Sequence, residues 1–188
     1  MRLVLATRNH HKLREFRGLL PGHEVVPLPD AVELPPETGT TFEENARAKA
    51  AAAAEATGQP AFADDSGIEA AGLGGAPGVR SARYAGAEAT DEENLAKLLA
   101  EVPEADRRAR YVCALAFVEP AGREEMFVGT CEGEIAAEPR GSGGFGYDPG
   151  FVPAEHPERT MAELAVEEKD AISHRGRAAR KLAAWLEG

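Results

Sequence analysis

The stretch Ala61-Phe62-Ala63-Asp64-Asp65-Ser66-Gly67 constrains this chain more than any other. An apolar approach leads into two adjacent carboxylates, a hydroxyl and a glycine. It reads as the end of a buried strand running into a turn. On a strand, successive side chains point to opposite faces, so Asp64 and Asp65 do different work. One can face a cleft and hold a divalent cation or a water, while the other ties down the turn through backbone N–H groups. Two carboxylates ahead of a turn are also ordinary turn chemistry, so the rest of the chain must decide between the two readings.

The chain opens with an apolar strand, Arg2 to Ala6, that runs into Thr7-Arg8-Asn9-His10-His11-Lys12. A helical pattern follows, with Leu13, Phe16, Leu19 and Leu20 on one side and Pro21-Gly22 as its stop. Strand, polar turn and helix N-terminus together make an anion site, because amide N–H groups and the helix dipole favour phosphate. Thr7 and Asn9 can donate hydrogen bonds and Lys12 adds a full charge. The plainer reading is a strand-to-helix connection capped by Asn9. A second strand, Glu24 to Leu28, leads to a loop over residues 29–40 that carries Glu37. Thr41 and Glu44 then form a capping box for an alanine-rich helix that runs to Ala56 and ends at Gly58. On that helix Lys49 reads either as a solvated surface lysine or as a further cation for the site.

A loop with four glycines lies over Gly72 to Gly78, and a second capping box, Thr90 with Glu93, starts a helix with Leu95, Leu98, Leu99 and Val102 buried. Strands at Arg110–Glu119 and Glu124–Glu132 are joined by Pro120-Ala121-Gly122-Arg123 as a hairpin. Gly141-Ser142-Gly143-Gly144-Phe145-Gly146-Tyr147-Asp148-Pro149 places two rings in a glycine loop, in a chain that is only 6% aromatic. Rings so held either stack on a planar ligand such as a nucleobase or plug a small apolar gap. Phe151-Val152-Pro153 is a last short strand, and Thr160 with Glu163 makes a third capping box. The closing helical patterns carry Lys169, His174 and Arg175, and bury Leu182, Trp185 and Leu186.

At 188 residues the chain is one domain, or one domain with two lobes. Its net charge of -11 argues against a surface that binds nucleic acid broadly, but a small polyanion remains possible if cations gather in one cleft. No apolar run approaches the ~18 residues of a membrane span. Two cysteines without metal-ligand spacing fit a reduced, cytoplasmic chain.

Taken together, six segments match one family in order over nearly the whole length. They are Thr7–Lys12, Glu37–Ala46, Ala63–Gly67, Leu73–Gly78, Gly143–Pro149 and Glu168–Arg175. The chain resembles the inosine/xanthosine triphosphate pyrophosphatases, which remove deaminated purine nucleotides from the nucleotide pool. The resemblance implies an α/β fold, with a long mixed sheet flanked by helices and two lobes around a central cleft, and a homodimer. It implies hydrolysis of inosine, deoxyinosine and xanthosine triphosphates to monophosphate and pyrophosphate, with magnesium. By position, Thr7, Arg8, Asn9, His10, His11, Lys12 and Lys49 would hold phosphates, and Ser66 would contact substrate. Glu37 and Asp65 would hold magnesium, with Asp65 also catalytic, either orienting the water or taking its proton. Phe145, Gly146, Tyr147 and Asp148 would frame the base, and Lys169, His174 and Arg175 would close over base and sugar-phosphate. A donor from Arg175 or from loop N–H groups at the 6-oxo group would reject adenine. The rival readings are a related hydrolase of other modified nucleotides and a nucleotide-binding module without chemistry.

Overall fold

The computed structural model describes residues 1–188. Its strands are β1 (Arg2–Leu5), β2 (Glu24–Pro27), β3 (Ala61–Ala70), β4 (Arg108–Val118), β5 (Glu124–Ile135) and β6 (Phe151–Pro153). They form one six-stranded sheet in the order β2-β1-β3-β4-β5-β6. β1 pairs parallel with β2 and β3, and β5 pairs antiparallel with β6, so the sheet is mixed. The helices are α1 (His10–Leu19), α2 (Phe42–Thr57), α3 (Asp91–Glu101), α4 (Val166–Ile172) and α5 (His174–Leu186). The α/β class with a mixed sheet and flanking helices is therefore as the sequence implies.

Local chemistry sets the helix ends. Asn9 caps α1 by accepting from His11 N and Lys12 N. Thr41 and Glu44 close a capping box at α2, and Thr90 and Glu93 close another at α3. Gly58 ends α2 in the left-handed region at φ 63°, where a side chain would be strained.

The chain divides into two compact units. The first comprises residues 1–65, 113–129 and 175–188, and the second residues 66–112 and 130–174. The first unit buries Leu3, Leu5, Phe16, Leu20, Phe62, Leu115, Phe117 and Leu182. Phe16 of α1 meets Phe62 of β3 edge to face, with centroids 5.2 Å apart. The second unit has its own core around Ile68, Leu98, Tyr111, Phe151 and Met161, in which the Tyr111 and Phe151 rings are 4.6 Å apart.

One expectation is corrected here. The sequence places a turn after Asp65, whereas β3 continues through Ser66 and Gly67 to Ala70. Ile68 and Ala70 are fully buried in the second core, and Ile68 N donates to Ser81 Oγ at 2.9 Å. Packing of that alternating pair overrides the turn propensity of Ser-Gly. The two cysteines are buried free thiols in strands, and no helix is long and apolar enough to cross a membrane.

Phe62 is fully buried and has an aromatic partner. Phe62→Ala should lower stability by about 3–5 kcal/mol in a urea titration, from lost burial and a retained cavity. A much smaller loss would mean that the first core collapses to fill the space.

Candidate active site

The two aspartates of β3 diverge as strand alternation requires. Asp64 is 1% exposed, and its Oδ2 meets Lys12 Nζ of α1 at 2.9 Å and Arg175 Nε of α5 at 3.2 Å. Burial pushes this carboxyl up, but the charges of Lys12, Arg175 and Lys49 outweigh it and hold the group well below the ordinary carboxylate range. Arg175 is also buried, and its Nη1 donates to Glu15 Oε2 at 2.7 Å. Its burial opposes the charge, yet Glu15 and Asp64 together favour the cation more strongly.

Asp65 turns toward α2. Its Oδ2 accepts from Asn45 Nδ2 at 2.9 Å, and its Oδ1 lies 3.7 Å from Lys49 Nζ. The same ammonium donates to Glu37 Oε1 at 2.6 Å and to the Asp64 main-chain carbonyl at 2.9 Å. Lys49 is thus a buried, multiply bonded cation, and the solvated-surface reading of it is wrong. Burial works against its charge, but Asp65, Asp64 and Glu37 together raise its pKa. Asp65 is shifted the other way from Asp64: burial raises its pKa, Glu37 adds to the rise, and Lys49 only partly offsets it. Two neighbouring carboxylates are therefore tuned apart by their partners.

The N-terminal turn differs in detail from the phosphate cradle read from sequence. Asn9 Oδ1 accepts from His11 N at 2.8 Å and Lys12 N at 3.3 Å, so the side chain occupies amides that were expected to meet an anion. Thr7 Oγ1 accepts from Asn9 N at 3.1 Å. His10 and His11 lie exposed in the first turn of α1. Arg8, expected at a phosphate, has its guanidinium on main-chain carbonyls. Its Nη1 donates to Leu28 O at 3.0 Å, and its Nη2 to Pro29 O at 3.0 Å, Asp30 O at 3.3 Å and Val32 O at 2.6 Å. A guanidinium fork meeting carbonyls clasps the loop after β2.

In the second unit the glycine loop is organised by Asp148, which is 3% exposed. Its carboxylate accepts from Lys169 Nζ at 2.8 Å, Tyr111 Oη at 3.0 Å and Phe145 N at 3.1 Å. Lys169 also sits over the Phe145 ring, 5.3 Å from its centroid, within cation–π range. Gly144 has φ +69°, and a Cβ there would collide with Asp148 Oδ2, so only glycine fits. Gly146 N donates to Asp91 Oδ2 at 2.8 Å. Of the two rings, Tyr147 belongs to the second core and donates its hydroxyl to Ser81 O at 2.6 Å, so it plugs the interior. Phe145 is only half-buried. His174 is buried and stacks on Tyr111, centroids 4.5 Å apart and planes 7° from parallel. Ser66 is half-buried in β3. Arg175, grouped from sequence with the base residues, has its guanidinium in the ion network with Asp64 and Glu15.

A model of the Ham1 family matches residues 3–185. The chain belongs to this family. It is 57% identical over 183 residues to a dITP/XTP pyrophosphatase of Symbiobacterium thermophilum, covering 94% of this chain and 90% of the relative. It is 50% identical to a dITP/XTP pyrophosphatase of Cutibacterium acnes, covering 100% of this chain and 98% of that one. Among solved structures, a HAM1 protein from Coxiella burnetii superposes with a TM-score of 0.90 at 46% identity, over 100% of this chain and 98% of the other.

In this Ham1 chain, three side chains central to the two networks had no role in the sequence reading. Asn45 and Glu15 lie one helical turn from Lys49 and Lys12, respectively, so helical spacing from a chosen lysine finds both. Tyr111 looks like any strand residue and gives no such signal.

Removing one partner from a buried ion pair strands the other charge. Asp64→Asn should therefore lower stability by about 3 kcal/mol in urea, leaving Lys12 and Arg175 crowded without their shared carboxylate. A loss no larger than that of an exposed control, Glu24→Gln, would show that water reaches these charges.

Proposed function

We propose that this chain hydrolyses inosine, deoxyinosine and xanthosine triphosphates to the monophosphate and pyrophosphate, by attack of water at the α-phosphorus. The observation that carries this reading is Lys49 Nζ, bonded to Glu37 Oε1 and facing Asp65 Oδ1. It is reinforced by the Ham1 relatives, which are named as dITP/XTP pyrophosphatases.

Glu37 and Asp65 would hold magnesium. Their carboxylates converge on the same face of α2 at Lys49 Nζ, and magnesium would need only one or two carboxylates from the protein when phosphate and water complete its shell. Charge balance points the same way. Lys12, Lys49 and Arg175 meet Asp64, Asp65, Glu37 and Glu15, three cations against four carboxylates. A triphosphate with about four negative charges needs a further cation beside such a set. Magnesium held by Glu37 and Asp65 would neutralise phosphate charge and make water more acidic.

The chain's own groups divide the remaining work. Lys12 and Lys49 would compensate phosphate charge. Asp65, with its pKa raised chiefly by burial, would orient the attacking water or accept its proton. Asn9 and Arg8 would support this end by holding α1 and the loop after β2. In the second unit Phe145 would stack on the base, backed by Lys169 and Asp148. The donor to the 6-oxo group would be Arg175 or a loop N–H. Adenine would present an amine to that donor and be rejected. A homodimer in the cytoplasm completes the proposal.

With magnesium and a nucleotide panel, the expected products are monophosphate and pyrophosphate from inosine and xanthosine triphosphates, with little from adenosine triphosphate. Asp65→Asn should lower kcat by about 100-fold or more, within the range for a positioned acid–base group. Orthophosphate as the product, or equal turnover of adenosine triphosphate, would overturn the reading. Phe145→Ala should raise KM for every accepted base alike by about 1–3 kcal/mol equivalent, because stacking is largely blind to ring substituents. An unchanged KM would make Phe145 a packing residue.

A further inference from the structure

Asn45 is an uncharged amide buried to 3% exposure in the middle of the ion network, and it carries no charge to a substrate. Both ends of its side chain are used. Its Oδ1 accepts from Gly39 N at 2.8 Å, and its Nδ2 donates to Asp65 Oδ2 at 2.9 Å. The Gly39 N–H fixes which way the amide faces, because only the amide oxygen can accept. The nitrogen is thereby committed to Asp65.

Gly39 lies two residues beyond Glu37, and Thr38 N donates to Pro36 O at 3.0 Å, so Glu37 sits in a tight, short segment ending at the Asn45 contact. A Cβ at Gly39 would meet Asn45 Oδ1 at 2.6 Å and Glu44 Cβ at 2.9 Å, so the approach requires glycine. Lys49 lies one turn further along α2, on the same face, and reaches Glu37 Oε1 and Asp65 Oδ1. Helix α2 therefore grips Asp65 at both oxygens and grips the Glu37 segment both at its carboxylate and at its backbone.

We infer that Asn45 is a positioning residue that locks the Asp65 carboxylate and the Glu37 segment into one fixed arrangement for a divalent cation. Removing the amide leaves Asp65 Oδ2 without the Asn45 donor and the Gly39 N–H without the Asn45 acceptor, so the direct link between the two is lost. The inference rests on the reading of Glu37 and Asp65 as the metal-holding pair. Supporting groups of this kind are worth about 10–100-fold in metal affinity.

The test is Mn2+ binding to the full chain without substrate, followed by the electron paramagnetic resonance of the unbound ion, beside the Mg2+ activation constant for inosine triphosphate hydrolysis. The variants are Asn45→Leu, Gly39→Ala and, as reference, Glu37→Gln. The expected result is Mn2+ binding weakened by about tenfold or more in all three, with a matching rise in the Mg2+ constant. At saturating Mg2+, kcat should largely recover in Asn45→Leu and Gly39→Ala. Should Asn45→Leu fail to fold, Gly39→Ala, which keeps every polar partner in the chain, reads the same link. If Glu37→Gln weakens Mn2+ binding while Asn45→Leu and Gly39→Ala bind as wild type and lose only thermal stability, Asn45 is merely structural and the inference is overturned. If Glu37→Gln itself binds as wild type, the reading of the metal pair fails and takes the inference with it.

Discussion

A carboxylate buried as deeply as Asp64 is tolerable only because cations from two helices meet it. Lys12 arrives from α1 and Arg175 from α5, segments far apart in sequence that are fastened to the same oxygen of β3. Arg175 would itself be costly to bury without Glu15, which returns the connection to α1. The result is a chain of charges, Lys12 to Asp64 to Arg175 to Glu15, in which each member cancels a desolvation cost created by another. Such networks contribute less to net stability than to uniqueness, since any other packing would leave an ion uncompensated. Once Asp64 is fixed, strand alternation leaves Asp65 no choice but to face α2.

The second unit solves a related problem with fewer charges. Asp148 is the buried carboxylate that organises the glycine loop, and it is satisfied by one ammonium, one phenol and one backbone amide. This set pins the loop at Phe145 while leaving the ring itself half-buried. Gly144 must lack a side chain so that the carboxylate can come that close. The glycines are therefore not there for mobility. They let the backbone wrap an anion and hold one aromatic ring in place.

What was legible in the sequence was what local chemistry decides. The caps at Asn9, Thr41 and Thr90, the stop at Gly58 and the alternation of Asp64 and Asp65 all depend on residues a few positions apart. The points that misled depend on tertiary partners. The continuation of β3 past Gly67 is set by where Ile68 and Ala70 are buried, which no turn propensity reports. Arg8 stands in a phosphate-like motif, yet it finds carbonyls more than 20 residues away. Tyr147 and Phe145 are two residues apart in one loop, yet Tyr147 is buried in the second core with its hydroxyl donating to Ser81 O, while Phe145 stays half-buried. Lys49 looked like a surface residue because its carboxylate partners come from a loop and from another strand.

Helix α2 shows why periodicity alone hides a site of this kind. Its buried stripe comprises Phe42, Asn45, Ala46, Lys49, Ala50, Ala53 and Ala54, spacings of three and four that would suit a plain apolar face. Two of the seven are polar, and both are spent on Asp65 and the Glu37 segment. The alanines let the helix lie close to the sheet, which brings a side chain as short as Asn45 within reach of β3. Leucine at 45 and 49 would complete the apolar stripe and suit the fold better on hydrophobic grounds, while stripping two acids of their partners. A helix that declines this gain is carrying polar groups for a reason other than folding, as expected where activity and stability compete for the same positions.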